Sequence, residues 1–332
     1  MESSDLRFTS LIGHEKPKAL LREAVVKNKM AHAYLFRGPD GVGKKKAALT
    51  IDAYINCKSP LDHDACGRCA SCRKYSSGNH PDLIMVEPDG AAIRISQVRE
   101  LKHQLTFPPL EAKVRVVVLE NIHTMRREAA NSLLKTLEEP APGNLFILTA
   151  DLKGNILPTI LSRCQLIPFG PLDYDDMIQI LMQEGEMDKP IALSLAAVSE
   201  GSLGRAKFLW QENLLSLRQE VIEELLVGQP DQAEAVGRVF RLSEKVAALK
   251  ENVNEFMTLL RLWYMDLILV AAGGPETSIA NKDLIILLQA ASHRWNISEL
   301  QKKLQCLDKA EKQLHRNCSR TLVLETLFFD LI

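Results

Sequence analysis

The stretch Gly38-Pro39-Asp40-Gly41-Val42-Gly43-Lys44 limits what this chain can fold into more than any other, because its chemistry works only between a strand and a helix. The apolar run Ala33-Tyr34-Leu35-Phe36 precedes it, and the helix-forming Lys45-Lys46-Ala47-Ala48-Leu49 follows it. In that setting backbone N–H groups and a helix N-terminus cradle phosphate oxygens, and Lys44 reaches the outer ones. Three further apolar runs, residues 83–86, 114–119 and 145–148, are each followed by helix-like sequence. The first half therefore reads as α/β, a mostly parallel sheet covered by helices on both faces. Residues 129–137 carry Ala130, Leu133, Leu134 and Leu137 at helical spacing and are stopped by Pro140.

The loop is only partly equipped for hydrolysis. The residue after its lysine is normally Ser or Thr, whose hydroxyl binds Mg²⁺. Lys45 stands there instead, offers no such ligand, and brings a second cation to the metal's place. The second half of such a site is an acidic residue at the end of an apolar strand, beside a second acid that activates water. Here the run 116–119 ends in Glu120-Asn121. Glu120 can approach a metal, but Asn121 is a poor proton acceptor. Both changes point the same way, so the isolated chain is expected to hydrolyse ATP slowly or not at all.

Four of the seven cysteines fall between Cys57 and Cys72. Cys66, Cys69 and Cys72 are spaced by two residues, and Cys57 supplies a fourth thiol across a Pro- and Asp-containing loop. Four soft ligands close a tetrahedral Zn²⁺ site, and closed sites are structural. Iron–sulfur binding competes with that reading, although Ser76 and Ser77 stand near where a ferredoxin-like run places its next cysteine. Three plain buried cysteines are a further reading, and His63 or His80 can replace Cys57 as fourth ligand. With little apolar sequence around it, this loop is expected to depend on its metal. Cys306 and Cys318 have no ligand set around them and read as ordinary helix-face residues.

Beyond Pro168-Phe169-Gly170-Pro171 the pattern changes, which sets the first domain boundary there. A short helical stretch follows, and from about residue 211 the chain is almost wholly helical in period. Leu214, Leu217, Val221 and Leu225 form one stripe; Phe256, Leu259, Leu260 and Trp263 another; Leu300, Leu304 and Leu307 a third. The apolar stretch 256–272 contains Arg261 and Asp266 and is short of the ~20 residues a membrane span needs, so it reads as a buried helix. The acidic start and the clustered cysteines make a reducing, cytoplasmic setting the expectation. With 41 Lys and Arg against 42 Asp and Glu, and 5% aromatic residues, neither bulk charge nor a base-stacking platform suits a solitary DNA binder.

The segment Leu157-Pro158-Thr159-Ile160-Leu161-Ser162-Arg163-Cys164 presents an arginine after a short helix near the sheet edge. Taken with the phosphate loop, the inserted cysteines and Asn131-Ser132-Leu133-Leu134-Lys135-Thr136-Leu137-Glu138-Glu139-Pro140, it resembles the clamp-loader subunits of bacterial DNA polymerase III, of the AAA+ class. Residues 8–210 carry the resemblance closely and the helical remainder by pattern. Lys45 and Glu120-Asn121 depart from the family's ATPase subunits (gamma/tau), as in a member that keeps the fold and has lost hydrolysis. The resemblance implies an AAA+ domain over 1–170 with a zinc module at 57–72, a small helical lid at 171–210, and an all-α collar at 211–332. It implies nucleotide contacts at Gly38, Gly41, Gly43, Lys44 and Glu120, with ATP or ADP left open, and zinc on Cys57, Cys66, Cys69 and Cys72. Arg163 becomes an arginine finger acting in trans on a neighbouring ATPase subunit.

Implied partners are gamma/tau and delta in a five-subunit ring, with the sliding clamp and primed DNA held by the assembly. Such a chain has no autonomous activity and acts in DNA replication as part of the polymerase holoenzyme. Gly204 falls where the ATPases carry a sensor arginine, with Arg205 one residue late, and Thr149 lies at the first sensor position. Two other readings remain: an active AAA+ ATPase that tolerates Lys45, and a zinc-dependent nucleic-acid-binding module.

Overall fold

The computed structural model describes residues 5–184, 187–227, 232–316 and 318–332. Strands β1 (Ala33–Arg37), β2 (Leu83–Val86), β3 (Arg115–Leu119), β4 (Asn144–Ala150) and β5 (Gln165–Pro168) form one sheet in the order β2-β3-β4-β1-β5, every pairing parallel. Between them run helices α1 (Glu15–Val26), α2 (Lys44–Ile55), α3 (Ala70–Ser76), α4 (Ile95–Gln104), α5 (Arg127–Glu138) and α6 (Pro158–Leu161).

The inner stretches of the strands, such as residues 116–119 and 145–148, are apolar at successive positions because both faces of the sheet are covered. Alternation along each strand divides their side chains between two cores. Tyr34, Phe36, Val116, Val118, Leu145 and Ile147 pack on one face with Leu21 of α1 and Ala47, Ala48 and Ile51 of α2. Leu35, Val117, Leu119, Phe146 and Leu148 pack on the other with Val98 and Leu101 of α4 and Leu133 and Leu137 of α5. Full burial of each large side chain stabilises the fold by about 1.5–3 kcal/mol relative to exposure. β1 is an inner strand, paired with β4 on one side and the outer β5 on the other, so the loop that leaves its C-terminal end starts inside the sheet rather than at its edge.

Strand β5 is an element that the apolar runs do not announce. Only Ile167 of its four residues is buried, as suits an outer strand paired on one side alone.

The chain divides into two compact units, Met1–Asp176 with Gly201–Gly204, and Met177–Glu200 with Arg205–Ile332. The sheet belongs to the first. The second is helical in its described residues, and its core gathers Val221, Phe256, Leu260, Trp263, Leu300, Leu307 and Phe328. The stretch expected to be a buried helix is Val253–Ala271, with Phe256, Leu259, Leu260, Trp263 and Tyr264 buried along it. Helix Ile297–His315 starts with a reciprocal cap, in which Asn296 accepts from the Glu299 N–H and Glu299 from the Asn296 N–H. The fully buried Arg218 donates from Nη1 to Asn281 and from Nη2 to Asp283, while Asp266 accepts from three donors, the N–H groups of Ala280 and Asn281 and the Asn281 side-chain amide. No described helix is long and apolar enough to cross a membrane.

Candidate nucleotide loop, arginine and cysteine cluster

The phosphate loop leaves β1 at Arg37 and enters α2 at Lys44. Gly43 stands at the helix N-cap with φ 102°, a conformation that only glycine adopts freely. Gly41, with φ 71°, is required twice over. A Cβ there would lie 2.8 Å from the Gly204 Cα and 2.5 Å from the Ser202 Oγ. Backbone meets backbone at this point: the Gly204 N–H donates to the Gly41 carbonyl at 2.9 Å, and the Ser202 hydroxyl to the Asp40 carbonyl at 2.8 Å. Gly38 follows β1 directly and donates its N–H to the Ala150 carbonyl of β4.

Lys44 folds back on its own loop. Its ammonium donates to the Gly38 carbonyl at 2.8 Å and the Pro39 carbonyl at 2.6 Å. Burial lowers its pKa, against the opposing pull of Asp40 and Asp151.

Lys45 reaches two carboxylates, Glu87 at 2.5 Å and Glu120 at 2.7 Å. Burial pulls the Lys45 pKa down, but these two partners outweigh it and hold the ammonium protonated. Burial raises Glu120, opposed by Lys45 and reinforced by the like charge of Glu87. Glu87 is lowered, chiefly by its hydrogen bond with Lys45. The ammonium thus lies between the acids where the sequence leads one to expect a metal. Asn121 adopts a left-handed φ of 52°, and its N–H donates to the Thr149 hydroxyl at 3.0 Å. Thr149 therefore ties the end of β4 to the turn after β3.

Arg163 follows α6 just before β5. Its Nε donates to Glu138 at 2.8 Å, its Nη2 donates to the same Glu138 oxygen, and its Nη1 donates to the Thr159 carbonyl at 2.8 Å and the Ser162 hydroxyl at 3.1 Å. Arg205, in the second unit, pairs with Glu200 and Glu255.

The four sulfurs of Cys57, Cys66, Cys69 and Cys72 all lie within 4.8 Å of one another, with Cys66 and Cys72 4.0 Å apart. Tetrahedral zinc with Zn–S bonds of about 2.3 Å requires edges of about 3.8 Å, so the donor set and its spacing fit that ion. Backbone N–H groups of Cys66, Cys69 and Cys72 point at the sulfurs of Cys57, Cys66 and Cys69. Burial opposes ionisation of Cys69, but the N–H donors of Cys72 and Lys58 and the neighbouring thiols bring its pKa down to about 6.

His63 is exposed, and His80 is engaged elsewhere, stacked on Tyr75 at 3.9 Å and accepting from the Asp82 N–H. The module is better held than its composition suggests. Asp64 accepts from the N–H groups of Phe8, Thr9 and Ala65, and Tyr75 shares the α1/α2 core.

Two partners in this region escape sequence reasoning: Glu87, opposite Lys45, and Glu138, opposite Arg163. Glu87 follows β2 and Glu120 follows β3, and the register Val86↔Leu119 sets them side by side. Strand order is needed to see this, and no local motif carries it.

The family described as DNA polymerase III, delta subunit, matches residues 13–173. The one described as DNA polymerase III, delta subunit, C terminal, matches residues 212–332. The chain is 29% identical over 314 residues to DNA polymerase III subunit delta' of Bacillus subtilis, covering 94% of each chain. Over 136 residues it is 40% identical to DNA polymerase III subunit delta' of Pseudomonas aeruginosa, covering 40% of this chain and 42% of that one. It is 34% identical over 199 residues to DNA polymerase III subunit tau of Bacillus subtilis, covering 59% of this chain and 34% of tau. Matched in both its sheet-bearing and its helical parts, the chain belongs to the delta-prime family of DNA polymerase III clamp-loader subunits.

Proposed function

We propose that this subunit keeps the ATPase fold without hydrolysing ATP, and that it supplies Arg163 in trans to the site of an adjacent ATPase subunit. The observation that carries the first half is the Lys45 ammonium held between Glu120 and Glu87. In a working loop a hydroxyl at that position and an acid on the neighbouring strand hold the magnesium that bridges the phosphates. Here a tethered cation already offsets one of the two acid charges and sits between them, where it repels a divalent ion arriving at the same place. Asn121, an amide, takes up no proton from an attacking water.

If nucleotide enters, Gly38, Gly41, Gly43 and Lys44 are the residues to hold its phosphates, once Lys44 leaves the Gly38 and Pro39 carbonyls. Gly204, flush against Gly41, offers no guanidinium to sense it. Arg163 lends positive charge and N–H donors to the transferring phosphoryl group next door, an effect typically worth ~10³–10⁵ in rate. Zinc on the four cysteines is structural in this reading and takes no part in the chemistry.

The partners are gamma/tau and delta subunits in a five-membered ring, which loads the clamp on primed DNA. We read residues 1–170 as the AAA+ domain, 171–210 as its lid, and 211–332 as the collar. The exposed Phe240, Met265, Ile286, Leu322 and Phe329 of the helical unit support an assembling role. Near-zero net charge fits a subunit whose surfaces meet proteins while the assembled ring holds DNA.

The test is ATP turnover by the purified chain alone, then its co-purification with the ATPase and delta subunits. The expected result is turnover far below the ~1 s⁻¹ of ordinary enzymes and entry into a stoichiometric complex. Turnover near that value, or failure to join the complex, defeats the proposal.

A further inference from the structure

We infer that Glu138 is a latch on Arg163, a positioning residue that holds the guanidinium against its own chain until a phosphate displaces it. The inference rests on the trans-arginine reading above. Pro140 stops α5, so the helix delivers Glu138 at its last position, and the chain returns through β4 to present Arg163 after α6. The two residues therefore meet only in the folded sheet.

A guanidinium carries five N–H donors. Four hydrogen bonds to Glu138, Thr159 and Ser162 occupy it, which leaves one donor among the described residues. Bidentate recognition of a phosphate uses two parallel N–H groups. The latched arginine cannot provide them, so engagement requires it to exchange Glu138 for the incoming oxygens.

That exchange is within reach. The side chains of Arg163 and Glu138 are 29% and 44% exposed, so their pair is screened by solvent and belongs to the weak class. A nucleotide phosphate, with more negative charge, outcompetes a single carboxylate. Glu138 thereby sets a threshold: a neighbour without γ-phosphate meets a closed arginine, and one with ATP opens it.

The experiment uses the reconstituted loader, this chain with its ATPase and delta subunits, assayed for basal ATP hydrolysis without clamp or DNA. Glu138→Ala is expected to raise the basal rate about two- to fivefold, and Glu138→Gln less. The rise shrinks at high salt. Arg163→Ala lowers the rate, and adding Glu138→Ala to it changes nothing further, an outcome that a merely structural role for Glu138 does not produce. An unchanged or reduced rate in Glu138→Ala, with Arg163→Ala still harmful, overturns the latch and leaves the trans arginine standing. A silent Arg163→Ala removes both. Should Glu138→Ala not assemble, Ser162→Ala removes one Nη1 acceptor instead; a smaller rise is expected, and no rise overturns the latch.

Discussion

Replacing Lys45 by methionine removes the ammonium and keeps most of the apolar stem, so it isolates the charge that sits between Glu87 and Glu120. The pair with Glu87 is largely solvated, its side chains 48% and 55% exposed, and is worth at most about 0.5 kcal/mol. The pair with Glu120, whose side chain is 17% exposed, sits near the top of the surface range at about 1 kcal/mol. Losing both, and leaving two carboxylates to repel each other, is expected to cost about 1–2 kcal/mol at pH 7 and low salt.

The pH dependence has a definite sign. Glu87 has a folded pKa below its ordinary 4.5, so it contributes stability that is present above 4.5 and lost as pH falls through the lowered value. Glu120, raised above 4.5, costs stability at neutral pH and is relieved as pH falls. Without Lys45 both pKa values rise, so the gap between variant and wild type is widest at neutral pH and closes as pH falls through the lowered Glu87 value. Urea denaturation of the two chains at pH 7 and at successive steps into acid, each at low and high salt, measures it. A variant as stable as wild type at pH 7, or a deficit that persists at low pH and high salt, refutes the ion-pair account.

Metal analysis of the reduced, purified chain is expected to give about one zinc per molecule. Chelation should expose the amides of residues 58–76 to hydrogen exchange before those of β1, β3 and β4, and simultaneous exposure contradicts a local structural role. Asp52 is fully buried, and burial pushes its carboxyl well above the usual range against hydrogen bonds from Tyr75 and Asn56. A raised folded pKa gives a contribution that is present below the unfolded value of 3.8 and lost as pH rises. Asp52→Asn should therefore gain on wild type as pH rises above 3.8 in denaturation, and a pH-independent difference refutes this. Gly41→Ala forces a left-handed alanine against the Gly204 backbone and should cost at least about 2 kcal/mol of thermal stability; a neutral effect means that the 201–204 turn does not rest on the loop.

The sheet was legible because parallel strands buried on both faces leave unbroken apolar runs such as Val116–Val118, and the phosphate loop marked one strand end unmistakably. Strand β5 was not, since an outer strand with three exposed residues carries no such run. The four thiols were legible by spacing, whereas the choice between Cys57 and His80 needed the Tyr75 stack and the Asp82 N–H that occupy the histidine. Lys45 announced a departure from the motif, but its consequence depended on Glu87, which only strand order brings beside Glu120. Arg163 stood out by its context, and its pairing with Glu138 lies in tertiary geometry alone.

The most direct measurement is single-turnover ATP hydrolysis by the reconstituted loader, clamp and primed DNA present, with Arg163→Ala in this chain. The site facing the substituted arginine is expected to slow by ~10³-fold or more while the complex still assembles. An unchanged rate in a fully assembled Arg163→Ala complex contradicts the account.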